Sequence, residues 1–255
     1  MLLAIDVGNT QTHVGMFRGG ELLQHWRFAT AREATADELA TTIRGLLALS
    51  DLGLDDVDAA IVSSVVPSLA HEYDELSRRY LDGTGLLVGP NLKIGMAVRM
   101  ENPREVGADR IVNAVAAYES CGGACIVVDF GTAITYDAVS PAGEYLGGII
   151  SPGIEISLEA LAERAAKLPR VEIAEPRELI GKTTLTAIQS GIVYGFSGQV
   201  DAIVGRMREE LGDEAHTIAT GGVAAAIVPF CDQIDEVNDL LTLEGLRLIW
   251  ERNRE

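Results

Sequence analysis

The chain opens on an apolar run, Leu2–Val7, interrupted only by Asp6 near its end. A Gly8-Asn9-Thr10 turn follows, then a β-rich segment Thr12–Phe17, a Gly19-Gly20 turn and a further run Glu21–Phe28. Short apolar runs punctuated by glycine and asparagine predict strand, tight turn, strand, hairpin, strand. The spacing then changes. Leu39, Ile43, Leu46 and Leu47 recur at helical intervals over Thr35–Leu49, with Thr35 as N-cap and Glu38 three residues on. Ala59–Val65 predicts a buried strand, Pro67–Tyr80 a helix opened by proline, Leu86–Val88 a short strand, and Gly107–Ser120 a helix entering the second half.

The opening pattern then returns. Ile126–Asp129 is again an apolar run ending on an acid, followed by Gly131-Thr132, the strand pattern Ala133–Val139, a Pro141-Ala142-Gly143 turn and Glu144–Ile150. At a constant spacing Asp6 meets Asp129, Gly8 meets Gly131, Thr12 meets Thr135, Gly20 meets Gly143 and Leu23 meets Leu146, with no gap. Two copies so far apart predict two homologous domains rather than a solenoid. The rest reads as a helix over Ile154–Ala166, a long helix over Thr184–Leu211, a strand His216–Ala219, a Thr220-Gly221-Gly222 turn, a helix from Val223 and a terminal helix Leu243–Arg252. The expected fold is α/β, two duplicated domains spanning 1–113 and 114–255, each a mixed sheet flanked by helices.

Composition narrows the function classes. With 47 % hydrophobic residues, 27 glycines and 8 prolines, the 255 residues suit a folded α/β protein. A net charge of −18 argues against nucleic acid and against anionic membrane as partners, since both are held by clustered Lys and Arg. No apolar run approaches the ~18 residues of a membrane span. Asp6 and the lack of a leading basic segment predict no signal peptide. Cys121, Cys125 and Cys231 are sparse and odd in number, as expected in a reducing cytoplasm.

Four segments could carry phosphate chemistry. Asp6-Val7-Gly8-Asn9-Thr10-Gln11-Thr12 sets an acid at a strand end and small or hydroxyl residues in the turn, where backbone N–H groups can approach phosphate. Asp6 is positioned to hold Mg²⁺, directly or through water, because that ion prefers carboxylates and keeps much of its hydration. Asp129-Phe130-Gly131-Thr132 repeats the arrangement, and two such loops facing one another would clamp a nucleotide triphosphate. Gly107-Ala108-Asp109-Arg110 joins an acid and a base at a helix start, where Asp109 could equally be a cap or first-turn acid. Ala219-Thr220-Gly221-Gly222 has the shape of a nucleoside-binding turn. Gly181-Lys182-Thr183-Thr184 resembles the end of a Walker A loop, but Pro176 stands where that pattern needs glycine and no strand runs into it.

The duplicated strand-Asp-turn unit resembles the superfamily of acetate and sugar kinases, heat-shock ATPases and actin, with two ribonuclease-H-like domains around a nucleotide cleft. Within it, the segments above together with Gly147-Gly148-Ile149-Ile150-Ser151-Pro152-Gly153 resemble type III pantothenate kinase, from residue 1 to Leu243-Glu244-Gly245-Leu246. The resemblance implies ATP-dependent phosphorylation of pantothenate to 4'-phosphopantothenate, the first step of coenzyme A biosynthesis. It implies that the loop Asp6, Val7, Gly8, Asn9, Thr10, Gln11, Thr12 and His13 contacts ATP phosphates, with Thr132 reaching them from the other side. Gly107, Ala108, Asp109 and Arg110 would bind pantothenate, Asp109 accepting its hydroxyl proton, and Thr184 would touch the carboxylate end. Asp129 would sit on a monovalent cation, K⁺ or NH₄⁺, required alongside Mg²⁺, and the enzyme would be a homodimer. Met100 departs from the tyrosine many members carry before Asn102-Pro103, so no polar contact is carried over there.

Two other readings stay open. One is a non-enzymatic accessory protein that keeps the fold without turnover. The other is a kinase of the same superfamily acting on another polyol or acid, since fold alone does not choose an acceptor.

Overall fold

The computed structural model describes residues 1–81, 85–165, 168–212 and 214–254. Two units emerge, one formed by Met1–Met96, Asn102–Ala116 and Leu241–Glu255, the other by Ala97–Glu101 and Ala117–Leu240.

In the first unit, Leu2–Val7 (β1) is a central strand, buried throughout except at the half-exposed Asp6. Its antiparallel neighbour is Gln11–Arg18 (β2), which pairs onward with Glu21–Ala29 (β3). On the other side Ala59–Ser64 (β4) and then Gly85–Leu87 (β5) run parallel to it, giving the order β3-β2-β1-β4-β5. Alternation along β1 divides its side chains between two faces. Leu3, Ile5 and Val7 share a core with Leu39, Ile43 and Leu47 of Ala36–Ala48 (α1) and with Leu69, Tyr73 and Leu76 of Pro67–Tyr80 (α2). Burying each such aliphatic side chain contributes about 1.5–3 kcal/mol. Thr35 caps α1 as expected: its side chain accepts from the Glu38 N–H, while Glu38 Oε2 accepts from the Thr35 N–H at 2.9 Å.

The second unit repeats the plan. Cys125–Phe130 (β7) lies between antiparallel Ala133–Val139 (β8) and parallel His216–Thr220 (β10); Glu144–Pro152 (β9) follows β8. Two-residue strands Ala97–Val98 (β6) and Glu236–Val237 (β11) extend the edges to β11-β10-β7-β8-β9-β6. They are too short to leave a periodic signal in the sequence. Ile126, Val128, Phe130, Ile134 and Tyr136 pack with Ile154 of Ile154–Arg164 (α4) and with Val193, Val200 and Val204 of Thr184–Leu211 (α5). The expected helix end at Ala166 lies outside the described residues, and the helix expected from Val223 is a single turn, Ala224–Ile227 (α6).

Two features depart from the linear reading. Ala108–Cys121 (α3) starts in the first unit and ends in the second, and Leu241–Asn253 (α7) returns to the first, packing on β1 and β4. Gly245 makes this possible, because a Cβ there would stand 2.2 Å from the Val112 carbonyl oxygen of α3. The gap-free repeat is also corrected. Asp6 stands opposite His13, whereas Asp129 stands opposite Thr135, so β8 is displaced by one residue relative to β2. Thr135 therefore occupies the place of His13, not of Thr12. Beyond the hairpin the constant spacing returns, because the second hairpin turn, Pro141-Ala142-Gly143, is one residue longer than Gly19-Gly20; both copies then carry the same bulge, at Leu23 and Leu146.

Candidate active site

At the C-terminal end of β1 the chain turns through Gly8-Asn9-Thr10. The Gly8 N–H donates to the Gln11 carbonyl at 3.0 Å, and a Cβ on Gly8 would lie 2.8 Å from that oxygen. Asn9, Thr10 and Gln11 are exposed; Val7, Thr12 and His13 are buried, so the part of the Asp6–His13 segment that can meet a ligand through side chains is narrower than the sequence implied. Residues beyond β3 hold the turn, a contribution the sequence did not disclose. Thr30 N–H donates to Thr10 O at 2.9 Å, Thr30 Oγ1 donates to Gly8 O at 2.9 Å, and Arg32 reaches Asn9 Oδ1 at 3.2 Å.

The buried His13 meets the exposed His25, Nε2 to Nδ1 at 3.1 Å. Burial, reinforced by Arg27 and His25, pulls its pKa down to about 3, so the ring is neutral at physiological pH. Asp6 thus stands between a neutral imidazole on β2 and Ser63 on β4. A carboxylate at a strand end is the donor type Mg²⁺ prefers, an ion that keeps several of its waters.

The Gly107–Arg110 segment also lies in the first unit. Asp109 Oδ1 accepts from the Arg110 N–H at 2.8 Å and would stand 2.4 Å from a Cβ on Gly107. Glycine at 107 is what lets the carboxylate fold back over the helix start. The same missing Cβ lies 3.8 Å from Val65 Cγ1, and the Val65 N–H bonds to Val7 O at 3.1 Å. The Asp109 turn and the end of β1 are therefore linked through one residue.

In the second unit the turn is shorter: the Gly131 N–H donates to Ala133 O at 3.1 Å, and the Gly153 N–H to Thr132 O at 3.2 Å. Thr132 is exposed. Asp129 pairs with Thr220, and Gly221, at φ +101°, crosses directly over its side chain. A Cβ at 221 would stand 2.6 Å from Asp129 Oδ1 and equally from Phe130 O. Phe130 N lies at the same distance, so Asp129 Oδ1 and Phe130 O offer hard oxygen donors, the type an alkali-type cation takes, with a backbone N–H beside them. Residues 129–132, 151–153 and 219–222, parts of three of the recognised segments, so meet at one end of this sheet.

Sequence reading missed Asp137. It is fully buried, accepting from Tyr145 OH at 2.6 Å and from Thr135 Oγ1 at 3.1 Å, with Thr135 opposite Asp129. An acid in mid-strand was the available signal. Met100 packs over Gly147, its sulfur 3.0 Å from where a Cβ would be. Thr184 is exposed at the start of α5, capped by Thr183, whose Oγ1 accepts from Thr186 N–H at 3.2 Å. Among the described residues, no strand leads into Gly181–Thr184, in keeping with rejection of a Walker loop.

The family model described as type III pantothenate kinase matches residues 2–206. The chain belongs to this family. A type III pantothenate kinase of Moorella thermoacetica is 54 % identical over 253 residues, covering 99 % of this chain and 100 % of that protein. Among solved structures, a Campylobacter jejuni protein described provisionally as a Baf family transcriptional activator matches at TM-score 0.61 and 18 % identity, over 98 % of both chains. The ROK hexokinase of Thermus thermophilus matches at TM-score 0.51 and 15 % identity, over 97 % of both. At these identities the two structures share the fold with this chain, the duplicated ribonuclease-H-like arrangement of mixed sheets flanked by helices. Among the described residues, no helix is long and apolar enough to cross a membrane.

Proposed function

We propose that this chain transfers the γ-phosphoryl group of ATP to the primary hydroxyl of pantothenate, the first step of coenzyme A biosynthesis, with Asp109 taking the hydroxyl proton. Membership of the family over nearly the whole chain carries the reaction. The observation that supports Asp109 is its fold-back over Gly107 at the head of α3, which aims a carboxylate away from the helix body. A positioned carboxylate gives the alcohol's proton somewhere to go. Most of the remaining work in phosphoryl transfer is alignment and neutralisation of charge.

In this reading Asn9, Thr10 and Gln11 with the backbone of Gly8, and Thr132 of the second loop, contact ATP phosphates. Asp6 holds Mg²⁺ and Asp129 a monovalent cation, K⁺ or NH₄⁺; these ions offset the nucleotide's charge in a protein of net charge −18. Gly107, Ala108 and Arg110 bind pantothenate, Arg110 adding a fixed cation. Thr184 takes the carboxylate end, favoured by the N-terminal dipole of α5, which has no acid in its first turn. A homodimer is supported by large apolar side chains exposed on β9 and α5 of the second unit, such as Ile150 at 63 % and Leu185 at 47 %. Three free cysteines accord with a cytoplasmic location.

The deciding assay is ADP release with pantothenate, compared with no acceptor and with a panel of sugars. Release with pantothenate alone is the expected result. Release with a sugar in its place would select the sugar-kinase reading, and no release with any acceptor the accessory one.

A further inference from the structure

The two copies of the strand-turn-strand unit close their turns with the same pair of backbone bonds. Gly8 N–H to Gln11 O in the first matches Gly131 N–H to Ala133 O in the second; Thr30 N–H to Thr10 O matches Gly153 N–H to Thr132 O. Thr30 and Gly153 are thus equivalent, each following the residue that pairs with the first position of the middle strand. Their surroundings differ. A Cβ on Gly153 would lie 2.2 Å from Thr132 O and 2.6 Å from Gly131 O, so the second turn is shut by backbone alone. The first turn carries an additional residue between its strands, Gly8-Asn9-Thr10 against Gly131-Thr132, and stands open by the width of a side chain.

The Thr30 side chain fills that width. Its hydroxyl has one proton, which goes to Gly8 O at 2.9 Å, so the buried Thr12, 3.0 Å away, donates to Thr30 Oγ1 in turn. The carbonyl of Gly8 is thereby fixed, and with it the direction of the next peptide N–H, that of Asn9. The first turn therefore depends on a side-chain hydroxyl for a shape that the second has from its backbone.

We propose that Thr30 is a positioning residue for the nucleotide: its hydroxyl holds the Gly8–Gln11 turn in the conformation that receives ATP phosphates. The inference rests on the reading of that turn as a phosphate site. Thr30 touches no reacting atom; it acts through Gly8.

The test compares Thr30→Val, which keeps the shape and removes the hydroxyl, with Thr30→Ser, which keeps the hydroxyl. Thr30→Ala is a second hydroxyl-free variant should the valine not fold. ATP affinity is read by calorimetry and by KM, with melting temperature as the folding control. Loss of one hydrogen bond predicts an ATP Kd and KM about three- to tenfold higher in the hydroxyl-free variants. The KM for pantothenate should stay within about twofold, and the serine variant should match the parent. Unchanged ATP affinity in the valine or alanine variant overturns the proposal, as does a serine variant impaired as much as they are. Gly8→Ala, which pushes a Cβ into Gln11 O, separates this from failure of the underlying reading. If it leaves ATP affinity intact, the turn is not the phosphate site and the proposal falls with it. If it weakens ATP binding while the hydroxyl-free variants do not, Thr30 alone loses its role.

Discussion

Gly221 crosses so close to Asp129 that a Cβ at 221 would stand 2.6 Å from the carboxylate oxygen Oδ1. The contact couples the turn after β10 to the acid at the end of β7. It also fixes which residue type can occupy 221, since φ is +101° there, a region that L side chains rarely adopt. Gly221→Ala should therefore displace Asp129 and raise the concentration of K⁺ or NH₄⁺ needed for half-maximal rate. The parent should be slow in buffers containing only Na⁺ or Tris and restored by K⁺ or NH₄⁺. Equal parent rates in all of these buffers would remove the role assigned to Asp129.

Asp109→Asn should leave the fold and ATP binding intact while lowering kcat by about 10²–10³-fold, the lower half of what a positioned base supplies. Asparagine is nearly isosteric and can still accept from the Arg110 N–H, so the change separates proton acceptance from helix capping. A structural role alone would cost at most ~1 kcal/mol in melting and spare turnover. A fall in kcat of less than about threefold at saturating substrates would leave Asp109 a positioning residue.

The His13–His25 pair makes stability depend on pH in a stated direction. The folded chain holds His13 at a pKa of about 3, below the ordinary histidine value of 6.5. Between those values the unfolded chain binds a proton that the folded chain refuses. Stability therefore rises with pH through this window and levels off above it, with a slope of at most about 1.4 kcal/mol per pH unit from this group. Urea midpoints measured at about pH 5 and about pH 7.5 should differ less in His13→Gln than in the parent. An equal pH dependence in both would show that His13 is not the group responsible.

Light scattering should give about 54 kDa, twice the 27.2 kDa chain, if exposed Ile150 and Leu185 lie in an isologous contact. Ile150→Glu is expected to shift the protein towards monomer. A fully active monomeric parent would count against a dimer.

Local signals carried much of the fold. Apolar runs ending on Asp6 and Asp129 located the two central strands, Pro67 opened α2, and the Thr35–Glu38 capping box fixed the start of α1; each works within a few residues of chain. The segments around Asp6, Asp109, Asp129 and Gly221 stood out for the same reason: small residues beside an acid or a double glycine make a pattern a few residues long. The roles of Thr30 and Asp137 were not legible, because a threonine after a strand and an acid within one acquire meaning only from the residues they face. Strand register is likewise a property of pairing. The shorter turn at Gly131-Thr132 moves β8 by one residue, and since side chains alternate, that slip puts Thr135 where β2 has His13. The return of α7 to the first unit depends on the Gly245–Val112 approach between residues more than a hundred positions apart. Sequence determined which segments become strands, helices and acid-bearing turns, because those preferences are local. Tertiary structure decided which turn is shut by backbone and which by the Thr30 hydroxyl, because that follows from distances between segments that only folding brings together.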